Sequence, residues 1–227
     1  MTAMPTFTLS IGSKAYSSWS LRGWLMCKIA GIDFAEDFHH MDAPDWHAWV
    51  RAKSPHAKVP LLRHATSQGD VLVWESLAIA EYLNELCPRA QMWPAESAAR
   101  AQARAISNEM HAGFAALRTH MWMTLLTQRP GKGRTPESLA DIARIVALWR
   151  DTRAKFGAGG PYLFGDRFTI ADAMYAPVVI RFWAWQPELP DDARAYCAAV
   201  WNHPFVAEWR AAAVREKPVA RYEALAD

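Results

Sequence analysis

Hydrophobic and polar positions change their rhythm about a third of the way along the chain. Up to Cys87, short alternating or β-rich stretches trade places with stretches of helical spacing. In order these are "TFTLSI", the run after Ser17, "DFAEDFHH", the Trp-rich "PDWHAWVRAK", "KVPLLRH", "DVLVW" and "ESLAIAEYLNEL". They predict β-α-β-α-β-β-α. Pro88 and Pro94 then flank a short segment containing Trp93. Proline has no amide hydrogen to continue a helix, so this segment reads as a linker. Beyond it nearly everything is helical. "ESAARAQARAISNEMHAGFAALRTHMWMTLL" predicts one long helix with Ile106, Met110, Phe114 and Leu117 on its apolar face. Another is expected from Pro136 to the glycines at 157–160, and more from about Ile170, Asp191 and Pro204. The expected organisation is an α/β domain at 1–87, a linker at 88–95 and an all-α helical domain at 96–227.

Composition narrows the chemistry. The 227 residues are enough for a substantial core, and 52% of them are hydrophobic. No window holds the roughly 18 uninterrupted apolar residues of a membrane span. The N-terminus "MTAMPTFTLS" lacks the basic and apolar regions of a secretory signal, so a cytoplasmic protein that does not engage membranes is expected. Cys27, Cys87 and Cys197 lie far apart without a CxxC pair, which predicts reduced, buried thiols and no metal site. A net charge of +2 with no dense Lys/Arg cluster argues against nucleic acid as a partner.

Three short stretches carry candidate chemistry. In "AYSSWSLRGWLMCKIAG", Ser17 and Ser18 stand where a strand turns into a helix. Serine is a favoured N-cap. The same turn aims the positive end of the helix dipole at any anion placed there, so capping and ligand binding are both open readings. In "AKVPLL", Pro60 stands at the start of a β-like run. A cis Val59–Pro60 bond would turn Val59's amide and carbonyl outward to pair with an extended peptide-like ligand; a trans bond would make an ordinary turn. In "WESLAIAEYL", Glu75 and Ser76 open an amphipathic helix with Leu77, Ala80 and Leu83 inward. They are common helix-start residues, and they also form a clamp. Ser76 suits a carboxylate and Glu75 an ammonium.

These three segments, in this order, resemble the cytosolic glutathione transferase family over essentially the whole chain. The marks are Ser17-Ser18 with Arg22, Val59-Pro60, and Glu75-Ser76 running into "LAIAEYL". "FGDRFTIADAMYAP" adds Thr169 and Asp172 at capping-box spacing, with Phe168 before the cap as a staple would be. The resemblance implies a thioredoxin-like N-terminal domain, an all-helical C-terminal domain and a homodimer. It makes Asp172 a structural residue that starts a core helix.

The resemblance also implies glutathione as cosubstrate. A free thiol has a pKa of roughly 8.5, and lowering it by two units takes about 2.7 kcal/mol. A charge-assisted hydrogen bond at a helix N-terminus supplies about that much. Ser17 is the implied donor, with Ser18 able to assist or substitute. Val59 would pair with the cysteinyl backbone, Glu75 and Ser76 would hold the γ-glutamyl end, and Lys58, His47 and His56 are candidates for the glycyl carboxylate. Trp19, Met110, His111 and Phe114 are the candidates for a pocket taking a small hydrophobic electrophile. The start looks most like the zeta class, which includes maleylacetoacetate isomerases, except that Trp19 stands where that class has cysteine. Two other readings use the same fold: a non-catalytic interaction or ligand-binding module, and a thiol-disulfide oxidoreductase. The latter needs a cysteine where this chain has serines.

Overall fold

The computed structural model describes residues 6–224. The expected order is present from the first strand: β1 (Phe7–Ile11), α1 (Ser18–Ala30), β2 (Phe34–Phe38), α2 (Trp46–Lys53), β3 (Leu61–Thr66), β4 (Gly69–Trp74) and α3 (Ser76–Leu86). The sheet runs β2-β1-β3-β4, with β1 parallel to β2 and antiparallel to β3, and β3 antiparallel to β4. Leu9 and Ile11 of β1 and Leu62 of β3 send their side chains into the core. Helix α1 is buried on nearly every side because the sheet, α3 and the helical half of the chain all pack on it. Gly23 makes the closest of these contacts possible: a Cβ there would lie 2.7 Å from the Pro60 ring. The Val59–Pro60 peptide is cis.

After a 3-10 turn at Pro88–Ala90 the chain is helical: α4 (Ser97–Ala112), α5 (Ala115–His120), α6 (Pro136–Phe156), α7 (Ile170–Trp185), α8 (Asp191–Trp201), α9 (Pro204–Ala213) and the short α10 (Ala220–Ala224). The single helix expected across 96–126 is two. The backbone breaks at Gly113 and Phe114, where Phe114 has φ 59°, and residues 121–126 leave the helix. Arg118 explains the break. Its guanidinium turns back and donates to the carbonyls of Gly113 (2.9 Å) and His111 (3.4 Å), and closely to Met110, satisfying the acceptors that a helix end leaves over.

Helix α7 is apolar on all sides and forms the axis of the helical half, touching α1, α4 and α8. Asp172 holds its start. The buried carboxylate accepts Thr169 N–H and Thr169 Oγ1–H on one oxygen, both at 2.9 Å, and Leu163 N–H (3.0 Å) and Tyr196 O–H (3.1 Å) on the other. Burial raises its pKa while these four bonds pull it back. Phe168 packs against Tyr162 and stacks on His203 at 4.0 Å. Of the three cysteines expected to be buried, Cys27 is. Cys87 and Cys197 are partly exposed, the first because it ends α3 at the surface.

Candidate functional site

Ser17 is the N-cap of α1. Its Oγ accepts the Ser20 N–H at 3.2 Å and lies 2.7 Å from the Ser20 hydroxyl, which itself accepts Gly12 N–H at 3.0 Å. Each of the two oxygens therefore already accepts a backbone N–H. One hydroxyl proton bridges them, donated by Ser17 to Ser20 in this arrangement; a rotation that lets Ser20 supply it frees the Ser17 proton to donate elsewhere. Ser18 points toward the helical half, where its Oγ accepts from Nη2 of Arg181 on α7 at 3.4 Å. Both serines line a cavity of about 370 Å³ whose walls include Trp19, Met41, Val59, Trp122 and Met123. Four cations, Lys58, Arg118, Arg181 and Arg221, also face it. The C-terminal segment closes one side: Tyr222 stacks on Tyr16 at 5.0 Å, and the Tyr16 hydroxyl donates to Glu223 at 2.7 Å.

A second cavity of about 240 Å³ adjoins the first, and Trp19, Lys58 and Val59 line both. His56, Pro60, Glu75 and His111 complete it. Glu75 has φ 69°, a conformation rare for a residue with a side chain and costing about 1–3 kcal/mol. The strain aims its carboxylate into the groove, 3.3 Å from His111 Nε2 and 3.6 Å from His56 Nε2. Burial lowers the pKa of both histidines, and outweighs the opposing pull of Glu75. Both imidazoles are thus held toward their neutral forms beside the carboxylate. Ser76 is 1% exposed and its hydroxyl has no partner among the described residues. Neither the amide nor the carbonyl of Val59 enters a backbone hydrogen bond among the described residues.

One groove therefore brings together Ser17, Ser18, Trp19, Lys58, Val59, Pro60, Glu75 and His111, with Ser76 beneath Glu75 and with His47 and His56 at the rim. Met110 and Phe114 are not part of it. Both belong to the core: Met110 lies on the buried face of α4, which turns toward α7, and Phe114, at the break before α5, is buried in the same cluster. Trp19 divides the two cavities. Its indole is gripped by Arg22 (4.8 Å) and Arg118 (4.9 Å) and meets the edge of His111 at 5.2 Å. Sequence reasoning missed Ser20, Arg118, Arg181 and the C-terminal pair Arg221 and Tyr222. No group of three or more His, Cys, Asp or Glu side chains among the described residues could hold a metal ion. None of the helices is long and apolar enough to cross a membrane, again among the described residues.

Known proteins give the groove a context. Residues 16–86 match the family model of the glutathione S-transferase N-terminal domain, and residues 98–212 that of the C-terminal domain. A probable maleylacetoacetate isomerase of Caenorhabditis elegans is 29% identical over 163 residues, 71% of this chain and 72% of that protein. Glutathione S-transferase GstB of Escherichia coli is 27% identical over 146 residues, 60% of this chain and 66% of that protein. Among solved structures, a glutathione transferase homologue from Burkholderia with bound glutathione superposes with a TM-score of 0.68 at 21% identity, covering 93% of this chain and 99% of that one. A maleylacetoacetate isomerase from Anaeromyxobacter dehalogenans, also with glutathione bound, gives 0.67 at 21% identity, covering 95% and 99%. Both halves of the chain, and the order of the elements that build the groove, lead to one conclusion: this protein belongs to the glutathione S-transferase family.

Proposed function

We propose that the protein is a glutathione transferase that holds the glutathione sulfur as a thiolate with a serine hydroxyl and joins it to, or uses it to isomerise, a small hydrophobic electrophile. The observation that carries this reading is the hydroxyl pair at the N-terminus of α1, facing a cavity continuous with the Glu75–Ser76 groove. The groove suits a γ-glutamyl tripeptide. Glu75 offers a carboxylate for the ammonium and Ser76 a buried hydroxyl for the neighbouring carboxylate. Val59 offers a free amide and carbonyl for the cysteinyl backbone. Lys58, with His47 or His56, takes the glycyl carboxylate. Glutathione supplies the nucleophilic sulfur. Ser17 donates its proton to that sulfur, Ser20 holds the Ser17 oxygen in place, and the N-terminus of α1 adds its partial positive charge.

Trp19, Met41, Trp122 and Met123 form an apolar wall for the second substrate. The division at residues 1–87, 88–95 and 96–227 belongs to the same proposal, as do a cytoplasmic location and a homodimer. For the dimer, β4 is a sheet edge with Val71, Leu72 and Trp74 37%, 40% and 41% exposed. Ultraviolet titration of the thiol of bound glutathione tests the chemistry, followed by a panel of conjugated alkenes, alkyl halides and hydroperoxides. A bound-thiol pKa well below that of free glutathione, with turnover of at least one class, is expected. Weak or absent binding, with no turnover, would instead identify a non-catalytic module.

A further inference from the structure

We propose that Arg181, brought in by the helical half of the chain, is the positioning residue that makes Ser18 a proton donor and holds positive charge beside the glutathione sulfur. The inference rests on the thiolate reading above and deepens it. Arg181 sits three quarters of the way along the strongly apolar α7 and is 4% exposed. Its Nη1 donates to the Pro177 carbonyl at 3.2 Å and its Nη2 to Ser18 Oγ at 3.4 Å, while its Nε is buried without a partner. None of the ion pairs among the described residues includes it, nor Arg22 or Arg118. A charge so placed is costly unless something negative answers it.

Ser18 shows what that charge does locally. A hydroxyl whose oxygen accepts from a guanidinium cannot donate back to it, so its own proton is turned away from Arg181, and Ser18 and Arg181 both line the cavity that would receive it. Ser18 so held is a stronger donor than a serine in water. The groups facing Arg181 are mostly cationic, with Tyr222 the one that acts in the opposite sense. Arg118 and Arg22 are its cationic neighbours, Arg221 and Tyr222 come from the C-terminal segment, and Lys58 and His47 stand across the cavity. Among the described residues no carboxylate lines this cavity. Burial, then the repulsion of Arg118, pushes the Arg181 guanidinium down to about 9, still charged at neutral pH. A thiolate arriving beside it relieves that strain, and by linkage the same interaction lowers the pKa of the thiol. The proton that the thiol loses passes to solvent.

The test is the ultraviolet titration of glutathione bound to the full-length protein, paired with calorimetric counting of protons released on binding. Arg181→Met should raise the bound-thiol pKa by about one unit and cut kcat/KM about tenfold below that pKa. The loss should shrink as pH rises, and KM for glutathione should change little. Arg181→Lys, which restores a charge, should recover most of both readouts. A packing role would not produce the pH-dependent recovery or the rescue by lysine. If Arg181→Met does not fold, Ser18→Ala carries the test and should raise the thiol pKa by about half a unit. A folded Arg181→Met with the wild-type thiol pKa, a lysine variant no better than methionine, or an unshifted Ser18→Ala overturns the proposal. No thiolate band in the wild type would overturn the parent reading, and this one with it; a wild-type band unchanged by these substitutions would remove this one alone.

Discussion

Replacing Ser17 by alanine separates the capping of α1 from the thiolate donation proposed for that hydroxyl, because the two losses differ in size and in readout. As N-cap of α1, Ser17 accepts the Ser20 N–H at 3.2 Å. Losing a serine cap costs about 1 kcal/mol, which in a chain of this size lowers Tm by about 2–4 °C. As donor to a thiolate, the hydroxyl contributes a charge-assisted bond of about 1.5–3 kcal/mol, so kcat/KM at neutral pH should fall about tenfold to a hundredfold. Part of the loss is recoverable by raising the pH, since hydroxide then does what the serine did. Thermal melts and kcat/KM against pH, measured on the same preparations, give both quantities. Ser17→Thr keeps cap and hydroxyl and should restore most of each. Normal activity in Ser17→Ala with Ser18→Ala inactive would transfer the role by one residue, and normal activity in both would refute the reasoning.

Other perturbations test the scaffold. Asp172→Ala strands the Thr169 and Leu163 amides and the Tyr196 hydroxyl in the core; at about 1–3 kcal/mol for each, Tm should fall by roughly 10 °C or more in thermal melts. A fall of under 3 °C or so would contradict that estimate. His203, stacked on Phe168 and held neutral by burial, has its pKa pushed down to about 4. The unfolded chain protonates this histidine near pH 6.5 while the folded one does not, so stability should drop as pH falls from about 6.5 towards 4, by about 1 kcal/mol allowing for its partial exposure. The raised pKa of Asp172 acts in the opposite sense, so the difference between wild type and His203→Asn, which keeps an N-cap acceptor, isolates the histidine. A variant with the same pH slope as wild type would remove the effect. Leu72→Glu places a charge on the exposed edge strand β4 and should convert a dimer to monomer in light scattering; an unaltered mass would locate the interface elsewhere.

The order of elements was legible because burial imposes a period on each of them. "TFTLSI" and "DVLVW" are short and β-rich, while "ESLAIAEYLNEL" repeats its apolar residues at helical spacing, and each became the expected element. The same logic misled at Gly113. Apolar spacing continues unbroken through Ile106, Met110, Phe114 and Leu117, but the backbone turns there because Arg118, several residues further on, can supply donors to the carbonyls that a broken helix exposes. Spacing reports which residues face inward and is silent on what lies inside. Met110 and Phe114 therefore looked the same as pocket walls and as core, and they are core. The side of the groove built by the α/β half was readable because Ser17, Val59 and Glu75 sit at element junctions, where a sequence announces its turns. Its opposite wall is built by contacts between distant segments. Arg221 and Tyr222 reach it because Tyr16 binds Glu223 and stacks on Tyr222, while Arg129 also pairs with Glu223 and Asp42 accepts the Ala220 N–H.

Arg181 lies between these cases. "MYAPVVIRFWAW" holds one charge in twelve residues, and a helix that apolar is destined for the interior. Burying a lone guanidinium opposes folding, so its position inside such a helix is itself a sign that an anion or a strong dipole waits nearby. The sequence therefore contained the anomaly, and the fold supplies what it answers to: Ser18, from the other half of the chain, at 3.4 Å. The cavity is thus built where the two halves meet, with the α/β half presenting the hydroxyls of Ser17 and Ser18 and the helical half presenting the charge of Arg181, and the proposed thiolate would sit between them.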